Sequence, residues 1–306
     1  MRRRRAGERD VSGILLLDKP GGITSNAALQ AVKRLFRARK AGHTGSLDPL
    51  ATGLLPVCLG EATKLSGFLL EADKRYRALL RLGVTTVTGD AEGEPLVTRD
   101  CAGIDRRQVD AAVARFTGTI EQTPPMHSAI KQNGVPLYKL ARQGIEVARE
   151  PRRVLIHAIE VVCFEGDRLE LDVHCSKGTY IRVLAEDIGA ALGCGAHVAA
   201  LRRTGVGGLD AARMVTLEAL QALAEGGGAG EALDARLVSM EDALRHWPDV
   251  RLAPEVAFFL RLGQAVFVPH APPGGLVRIY TREDRFLGIG HILEDGRVAP
   301  KRLVNC

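Results

Sequence analysis

Residues 42–55 read GHTGSLDPLATGLL, with three glycines and one proline around a single carboxylate, Asp48. Glycine tolerates positive φ and proline fixes its own φ, so this composition predicts a loop of defined shape. Pro49 also pushes the residue before it toward extended backbone, which places Asp48 on a stiff chain. Taken alone, an Asp-Pro pair is typical of a turn or a helix cap. However, four leucines flank Asp48, and a carboxylate in apolar surroundings is costly unless a cation pairs with it.

The composition limits the class of protein. The chain has 306 residues, of which 46% are hydrophobic and 25% charged; this is ordinary for a globular protein with one large domain and a small one. Lys and Arg number 42 against 36 Asp and Glu, and the pI is about 9.1. This balance favours a polyanionic partner without requiring one. The six cysteines include no C-x-x-C pair, so we expect scattered thiols in a reducing compartment, and neither a metal site nor a disulfide framework.

Nothing in the sequence predicts a membrane segment or an export signal. The chain contains no apolar run of the roughly 18 residues that a spanning helix needs. Arg2 to Arg5 could imitate the basic start of a signal peptide, but charged residues follow at 8–10 and the next apolar run ends at Asp18. We therefore predict a disordered basic arm and a cytoplasmic protein.

Hydrophobic periodicity predicts strands and amphipathic helices up to about residue 249. A buried strand at 13–17 precedes a helix that Ser25 or Asn26 caps and that ends in a cluster of cations. Further strands are predicted at 74–82, 154–164 and 168–175. Further helices are predicted at 106–116 and directly after Thr179, and Thr179 is the predicted cap of the second of these helices. Because the strands follow one another without regular βαβ spacing, we expect an α+β fold with a mixed, largely antiparallel sheet.

Three other segments have distinct composition. Residues 85–95 are rich in Gly, Thr and acidic residues and are predicted to form a loop, and the glycines at 226–230 a surface linker. Residues 122–145 combine prolines, glycines and cations with little periodicity, which predicts a long mobile insertion. From about residue 250, a short helix at 255–262 and brief strands with Gly-rich turns predict a small β-barrel; the strands are placed at 265–268, 277–280, 285–292 and 297–303.

Two motifs carry side chains that could do chemistry. In KRYRALLRL, residues 74–82, the alternation puts Tyr76 on the apolar face, where it could equally be a tyrosine at the edge of the core. In SKGTYIR, residues 176–182, the helical stripe contains Ile181 but not Arg182. Spacing alone therefore predicts a solvent-facing Arg182. An arginine is nevertheless the partner that Asp48 needs to stay ionised when partly desolvated.

These motifs, together with GCGAHVAALRRT at residues 193–204, resemble those of the TruB family of bacterial tRNA pseudouridine synthases. The resemblance is specific at 42–60, 176–184 and 193–204, and weaker after 250. It implies that Asp48 is the catalytic carboxylate, that Arg182 pairs with it, and that Tyr76 lies against the target base. Tyr180 and Leu201 would line the uracil pocket. His43 suits the place that the base leaves, although a plain polar loop residue fits it as well.

The resemblance also implies an RNA-binding surface. The insertion at about 122–150 is similar to the loop with which the family grips RNA, and residues 250–306 resemble the PUA-type RNA-binding module. His127 in the insertion receives no role. Arg202 and Arg203 would face RNA or brace the catalytic loop. The RNA-contact residues implied are Lys19, Arg37, Arg39, Lys40, Lys131, Arg142, Arg202 and Arg203.

The reaction that the resemblance implies is isomerisation of uridine 55, in the T-arm loop of tRNA, to pseudouridine. The enzyme would flip the nucleotide, and Asp48 would attack either the ribose C1′ or the base C6; the sequence leaves both open. No cofactor and no metal are expected, and a monomer is predicted. Two alternatives remain: an RNA-binding protein without chemistry, and a glycosidase-like hydrolase. The hydrolase needs a second carboxylate about 5–9.5 Å from the first, and no motif offers one.

Overall fold

The computed structural model describes residues 7–226 and 228–305. The predicted arm at Arg2 to Arg5 and the linker residue Gly227 lie outside the described residues.

The strands and helices alternate irregularly along the chain. The strands are β1 Gly13–Lys19, β2 Ala41–His43, β3 Thr52–Leu59, β4 Lys74–Leu82, β5 Val84–Thr86, β6 Pro95–Thr98, β7 Gly118–Gln122, β8 Lys131–Gln132, β9 Val135–Pro136, β10 Arg152–Glu165, β11 Arg168–Cys175, β12 Ala196–Val206, β13 Val215–Thr216, β14 Leu237–Val238, β15 Asp249–Leu252, β16 Leu276–Thr281, β17 Phe286–Ile292 and β18 Val298–Leu303. The helices are α1 Ser25–Leu35, α2 Ser66–Glu71, α3 Arg106–Ala114, α4 Leu137–Ala141, α5 Ile181–Ala191, α6 Leu217–Glu225, α7 Ala229–Asp234, α8 Met240–Ala243 and α9 Pro254–Arg261, with 3₁₀ turns at Gly60–Leu65 and Ala211–Arg213.

One large sheet organises the chain before residue 249. Its strand order is β13-β1-β3-β12-β4-β11-β10-β7, with β14 added to β1 and β2 to β3. The pairs β1·β13 and β3·β12 are parallel and the other pairs are antiparallel. The predicted α+β fold with a mixed, largely antiparallel sheet is confirmed.

Strand β4 shows how the sequence chooses the buried face. Tyr76, Ala78 and Leu80 alternate with more exposed residues and point into a core that α1 and α5 also line. Each large apolar side chain buried there contributes about 1.5–3 kcal/mol. The loop that carries Asp48 and strand β12 border the same face, so the core also supports the candidate site.

Local structure differs from the sequence prediction in several places. Thr24, and neither Ser25 nor Asn26, caps α1 through the amide of Ala27. Thr179 is not a cap either, because its hydroxyl donates to the carbonyl oxygen of Ser176. Part of the loop predicted at 85–95 is a hairpin of β5 and β6, and the insertion contains the β8–β9 hairpin and α4.

The C-terminal strands form a separate sheet in the order β15-β16-β17-β18. The strand predicted at 265–268 is reduced to a bridge between Val266 and Val298. Within the described residues no sheet closes on itself, so the predicted barrel is not confirmed. Tyr280 and Phe286 share a hydrophobic cluster with Leu16 and Leu54, which joins this sheet to the larger one. No helix in the described ranges is long and apolar enough to span a membrane.

Candidate active site

The loop that carries Asp48 is anchored from beneath by buried polar groups. The Ser25 hydroxyl accepts a hydrogen bond from the Leu47 amide at 2.8 Å and lies 3.0 Å from the Leu47 carbonyl oxygen. The Lys19 ammonium, which is wholly buried, donates to the carbonyl oxygens of Pro20, Ile23 and Pro49. These bonds fix the backbone on both sides of Asp48.

Arg203 braces the same loop from β12. It is almost fully buried, and its guanidinium donates to the carbonyl oxygens of Leu54 at 2.7 Å and Gly45 at 3.0 Å. Gly45 has φ +84°, a conformation that glycine adopts at no steric cost. Lys19 and Arg203 were both expected to contact RNA. Their burial fits the bracing role that the sequence left open for Arg203 and gives Lys19 the same role.

Arg182 lies against Asp48, as the two motifs implied. The distance from Nε to Oδ2 is 2.9 Å and that from Nη2 to Oδ1 is 3.3 Å. The Arg182 side chain is 6% exposed, whereas that of Asp48 is 39% exposed. The prediction that Arg182 faces solvent is therefore wrong. The Asp48 carboxylate, by contrast, remains partly accessible to a ligand.

The remaining donors of Arg182 are also occupied. Nη1 donates to the carbonyl oxygen of Thr88 at 2.9 Å and Nη2 to that of His127 at 2.8 Å. Asp90 Oδ2 lies 3.7 Å from Nε. Its other oxygen accepts from the Thr88 hydroxyl and from the Glu92 amide. Sequence reasoning missed Thr88 and Asp90, because only their acidic, glycine-rich context was visible. It also missed His127, whose contact uses a backbone carbonyl group that no motif marks.

Burial and two neighbouring charges act on the pKa of Asp48. Burial raises its pKa, the Arg182 guanidinium opposes that rise, and the Asp90 charge adds to it. The ion pair therefore offsets a desolvation cost that the loop imposes. The hydrogen-bonded fork also sets the orientation of the carboxylate.

Two of the predicted base-binding residues, Tyr76 and Tyr180, lie within electrostatic range of this carboxylate. Tyr76 and Leu201 lie on the adjacent strands β4 and β12 and are both nearly buried. Gln122 fixes the backbone of Tyr180 with hydrogen bonds to its amide and carbonyl groups. Burial raises the pKa of both tyrosines, and the Asp48 charge adds to the rise in each. Both phenols thus stay protonated at neutral pH and lie within electrostatic range of Asp48.

His43 lies on β2 at the edge of the loop. Burial and the Arg203 charge lower its pKa, so the ring is neutral at neutral pH. Its buried Nδ1 has no hydrogen-bond partner among the described residues. A neutral imidazole is a suitable surface for stacking on a base.

Of the cations predicted to contact RNA, Lys19 and Arg203 are buried, and the others are exposed or partly exposed. Arg37, Arg39 and Lys40 are exposed just after α1, and Lys131 and Arg142 are exposed on the insertion. Arg202 is 41% exposed and forms a two-point ion pair with Asp18, at 2.7 and 3.0 Å.

Comparison with known proteins accounts for nearly the whole chain. Residues 33–181 match the model "TruB family pseudouridylate synthase (N terminal domain)". Residues 182–245 match "tRNA pseudouridylate synthase B C-terminal domain", and residues 248–304 match "Pseudouridine synthase II TruB, C-terminal". The tRNA pseudouridine synthase B of Nitrosococcus oceani is 57% identical over 303 residues, covering 99% of this chain and 98% of that protein. The Aliivibrio fischeri protein of the same name is 53% identical over 310 residues, covering 99% and 98%.

This chain belongs to the TruB family of pseudouridine synthases.

A solved structure titled "Crystal Structure of a Cbf5-Nop10-Gar1 Complex" contains a chain with the same fold. Its TM-score is 0.74 at 29% identity, and the match covers 95% of this chain and 84% of that one. The pseudouridine synthase fold of this TruB family member is thus supported by both sequence and structure.

Proposed function

We infer that this chain isomerises a uridine of tRNA to pseudouridine, and we propose Asp48 as the nucleophile. One observation carries the assignment: Asp48 is part exposed and is held at 2.9 Å by the buried Arg182. Tyr76 and Tyr180 lie within electrostatic range of its carboxylate. The TruB family membership gives this geometry its reaction class.

The substrate uridine must leave its stack to reach this pocket. Flipping costs about a few kcal/mol, which contacts in the pocket offset. Tyr76 and Tyr180 offer aromatic surface and Leu201 an apolar wall, while the neutral ring of His43 fills the place the base has left. The T-arm loop of tRNA, at position 55, is the substrate site that we propose.

In the chemical step, the Asp48 carboxylate bonds covalently to the nucleoside at the ribose C1′ or at the base C6. The bond between N1 and C1′ breaks, and uracil turns within the pocket. C5 then bonds to C1′ as the carboxylate is released, the proton on C5 is lost to solvent, and N1 takes up a proton from solvent. Arg182 keeps the carboxylate ionised and oriented, and Tyr76 contacts the base throughout.

RNA binding is assigned to exposed cations around the pocket. Arg37, Arg39 and Lys40 would meet phosphates from one side, and Lys131 and Arg142 on the insertion at 122–150 from the other. Arg202 can take part by exchanging Asp18 for a phosphate. We propose that residues 1–249 are the catalytic domain, that 250–306 are a PUA-like RNA-binding domain, and that the protein acts as a cytoplasmic monomer.

Two alternatives account less well for the site. A binder without chemistry does not need a carboxylate held in a two-point ion pair beside an open pocket. A glycosidase-like hydrolase needs a second accessible carboxylate, and the nearby Asp90 is 4% exposed with its oxygens already engaged.

The test is the Asp48→Asn variant with an unmodified tRNA transcript, followed by nucleoside analysis. Pseudouridine formation should be abolished, while tRNA affinity stays within about tenfold, or 1.4 kcal/mol, because shape and phosphate contacts survive. Asp100→Asn, on a remote turn, should retain activity, and a transcript with cytidine at position 55 should give no product. Turnover by Asp48→Asn near the wild-type rate would remove Asp48 from its role. Free uracil would indicate a hydrolase, and an unchanged transcript with wild-type protein a binder.

A further inference from the structure

A cluster of two histidines and one carboxylate lies away from the candidate active site. Asp73, His157 and His174 each present a ligand-type atom, and these atoms lie within 4.8 Å of one another. His157 Nε2 is 3.0 Å from Asp73 Oδ2. The two imidazole rings lie side by side, with centroids 4.5 Å apart and planes inclined by 31°.

The sheet itself builds this cluster. His174 lies on β11 opposite Arg75 of β4, and Asp73 precedes β4 on the face that Arg75 shares. The ladder between β10 and β11 shifts register between Ile156 and Ala158, so His157 is the extra residue of a β-bulge. Bulges re-aim a side chain, and this one brings His157 over the neighbouring strand. Two adjacent strands, β10 and β11, thus supply one ligand each, and the residue just before β4 supplies the third.

The cluster lies on the sheet face opposite Tyr76. Residues directly opposite one another in an antiparallel pair project to the same face, and Tyr76 pairs with Val173, next to His174. His174 therefore points away from the core side that holds Asp48. The isomerisation chemistry does not use these side chains, and an inference about them stands apart from the proposed function.

We propose that Asp73, His157 and His174 form a binding site for one divalent transition cation of the Zn²⁺ type. Two imidazoles and a carboxylate suit Zn²⁺, Co²⁺ or Ni²⁺, and the oxygen-preferring Mg²⁺ and Ca²⁺ are disfavoured. With metal–ligand bonds of about 2.0–2.2 Å, tetrahedral ligand atoms lie about 3.4 Å apart. The observed atoms reach that spacing through small side-chain rotations, and solvent supplies the fourth ligand.

The surroundings favour retention of the cation in two ways. The Asp73 backbone is fixed, since its carbonyl oxygen accepts from the Gly207 amide at 2.8 Å. The neighbouring cation, Arg75, packs its aliphatic stem over Gly205 of β12, on the side of β4 away from β11. The negative charge of Asp73 offsets the remaining repulsion between the Arg75 guanidinium and a bound cation. This site was not expected from the sequence, where its members stand far apart.

The test is a Co²⁺ titration of the full chain followed by visible absorption, with Zn²⁺ competition. We expect one equivalent of Co²⁺ in a four-coordinate environment of nitrogen and oxygen ligands, displaced by Zn²⁺. His157→Gln and His174→Gln should each weaken binding at least about tenfold, the size of effect seen even for outer-shell partners. His270→Asn, which removes an exposed histidine of the C-terminal segment, should bind like the wild type.

Thermal unfolding in the presence of a chelator should be the same for all four proteins, and Zn²⁺ should raise the melting temperature of the wild type and His270→Asn alone. Any of three results would overturn the proposal. These are the lack of a one-to-one complex, a complex whose affinity both glutamine variants leave unchanged, and a sulfur-to-cobalt charge-transfer band that assigns the cation to cysteines.

Discussion

Arg182 holds two carboxylates of unequal exposure. Its Nε lies 2.9 Å from the part-exposed Asp48 and 3.7 Å from the buried Asp90. Because Asp90 is engaged by the Thr88 hydroxyl and the Glu92 amide, it cannot turn toward the pocket. Asp48 is thus the accessible member of the pair, and Asp90 helps to keep the guanidinium charge in place.

Arg182→Lys is expected to slow the chemical step strongly while leaving tRNA affinity little changed. Lysine keeps the charge but loses the planar fork that contacts both Asp48 oxygens and the carbonyl groups of Thr88 and His127. Single-turnover rates at saturating enzyme measure the step itself. Stability should fall modestly, because buried acceptors lose their partners. Equal rates for Arg182→Lys and the wild type would show that the fork is not used.

The burial of Arg182 could not be obtained from the periodicity of its helix. A helical pattern assigns polar positions to solvent, and here a carboxylate and two carbonyl groups from three distant segments overrule that assignment. The ion pair of Asp48 and Arg182 was predictable only because both residues belong to extended motifs. Asp90 lies in no such motif, and its role depends on contacts that only the folded chain brings together.

At the scale of elements, positive charge is concentrated at the end of α1, a few residues before the loop that carries Asp48. Arg37, Arg39 and Lys40 are exposed and follow the last helical turn directly. Exposed cations at a helix C-terminus are favoured by the dipole alone, so position does not by itself prove contact with RNA. Salt dependence separates the two cases.

Replacing Arg37, Arg39 and Lys40 together by glutamine should reduce the slope of log tRNA affinity against log salt, because fewer counterions are released on binding. The matched control is Arg77, Arg81 and Arg168 to glutamine, which removes the same charge from the sheet face opposite Tyr76. The control should keep the wild-type slope. An unaltered slope in the first triple variant would show that this helix end is merely solvated.

The close approach of β3 and β12 depends on a single glycine. Gly53 has φ +97°, and a Cβ there would lie 2.3 Å from the carbonyl oxygen of Arg203. Gly53→Ala should therefore lower the free energy of unfolding by at least about 1–3 kcal/mol, the cost of a strained backbone. Gly67→Ala, exposed in α2 with nothing within 4 Å, is the control and should be neutral or stabilising. Chemical denaturation measures both, and equal stabilities would contradict the argument.

At the scale of the whole molecule, pattern predicted four long strands of the large sheet, β1, β4, β10 and β11, but it missed the central strands β3 and β12. It predicted the C-terminal sheet less well. Long strands such as β4 alternate over nine residues, which fixes both their existence and their buried face. The C-terminal strands are short, and closure depends on which edges pair, which alternation does not encode. The His157 bulge escaped prediction for the same reason, since register shifts arise between strands.

Two buried lysines make the stability of the protein vary with pH in the alkaline range. Burial lowers the pKa of Lys19 and of Lys74 from 10.5 to about 8. Between about pH 8 and 10.5 the unfolded chain therefore binds more protons at these sites than the folded chain does. The contribution of each lysine to stability rises with pH across this window, by up to about 1.4 kcal/mol per pH unit. This contribution to stability is lost again as the pH falls through 8, where the buried lysines of the folded chain take up their protons.

The difference between Lys19→Met and the wild type isolates this effect. The pH dependence of wild-type stability alone does not isolate the lysines, because two buried thiols titrate in an overlapping range. Burial raises the pKa of the Cys58 and Cys175 thiols to about 12 and about 11, so their contribution to the stability of the protein falls as the pH rises above 9. Denaturation from pH 7.5 to 9.5 should show that Lys19→Met lacks part of the wild-type slope, whatever its stability at neutral pH. Replacement of the exposed Lys301 by Met should leave the slope unchanged. If both variants followed the wild-type slope, Lys19 would titrate alike in the folded and unfolded chains, and the buried ammonium beneath the Asp48 loop would carry no desolvation cost.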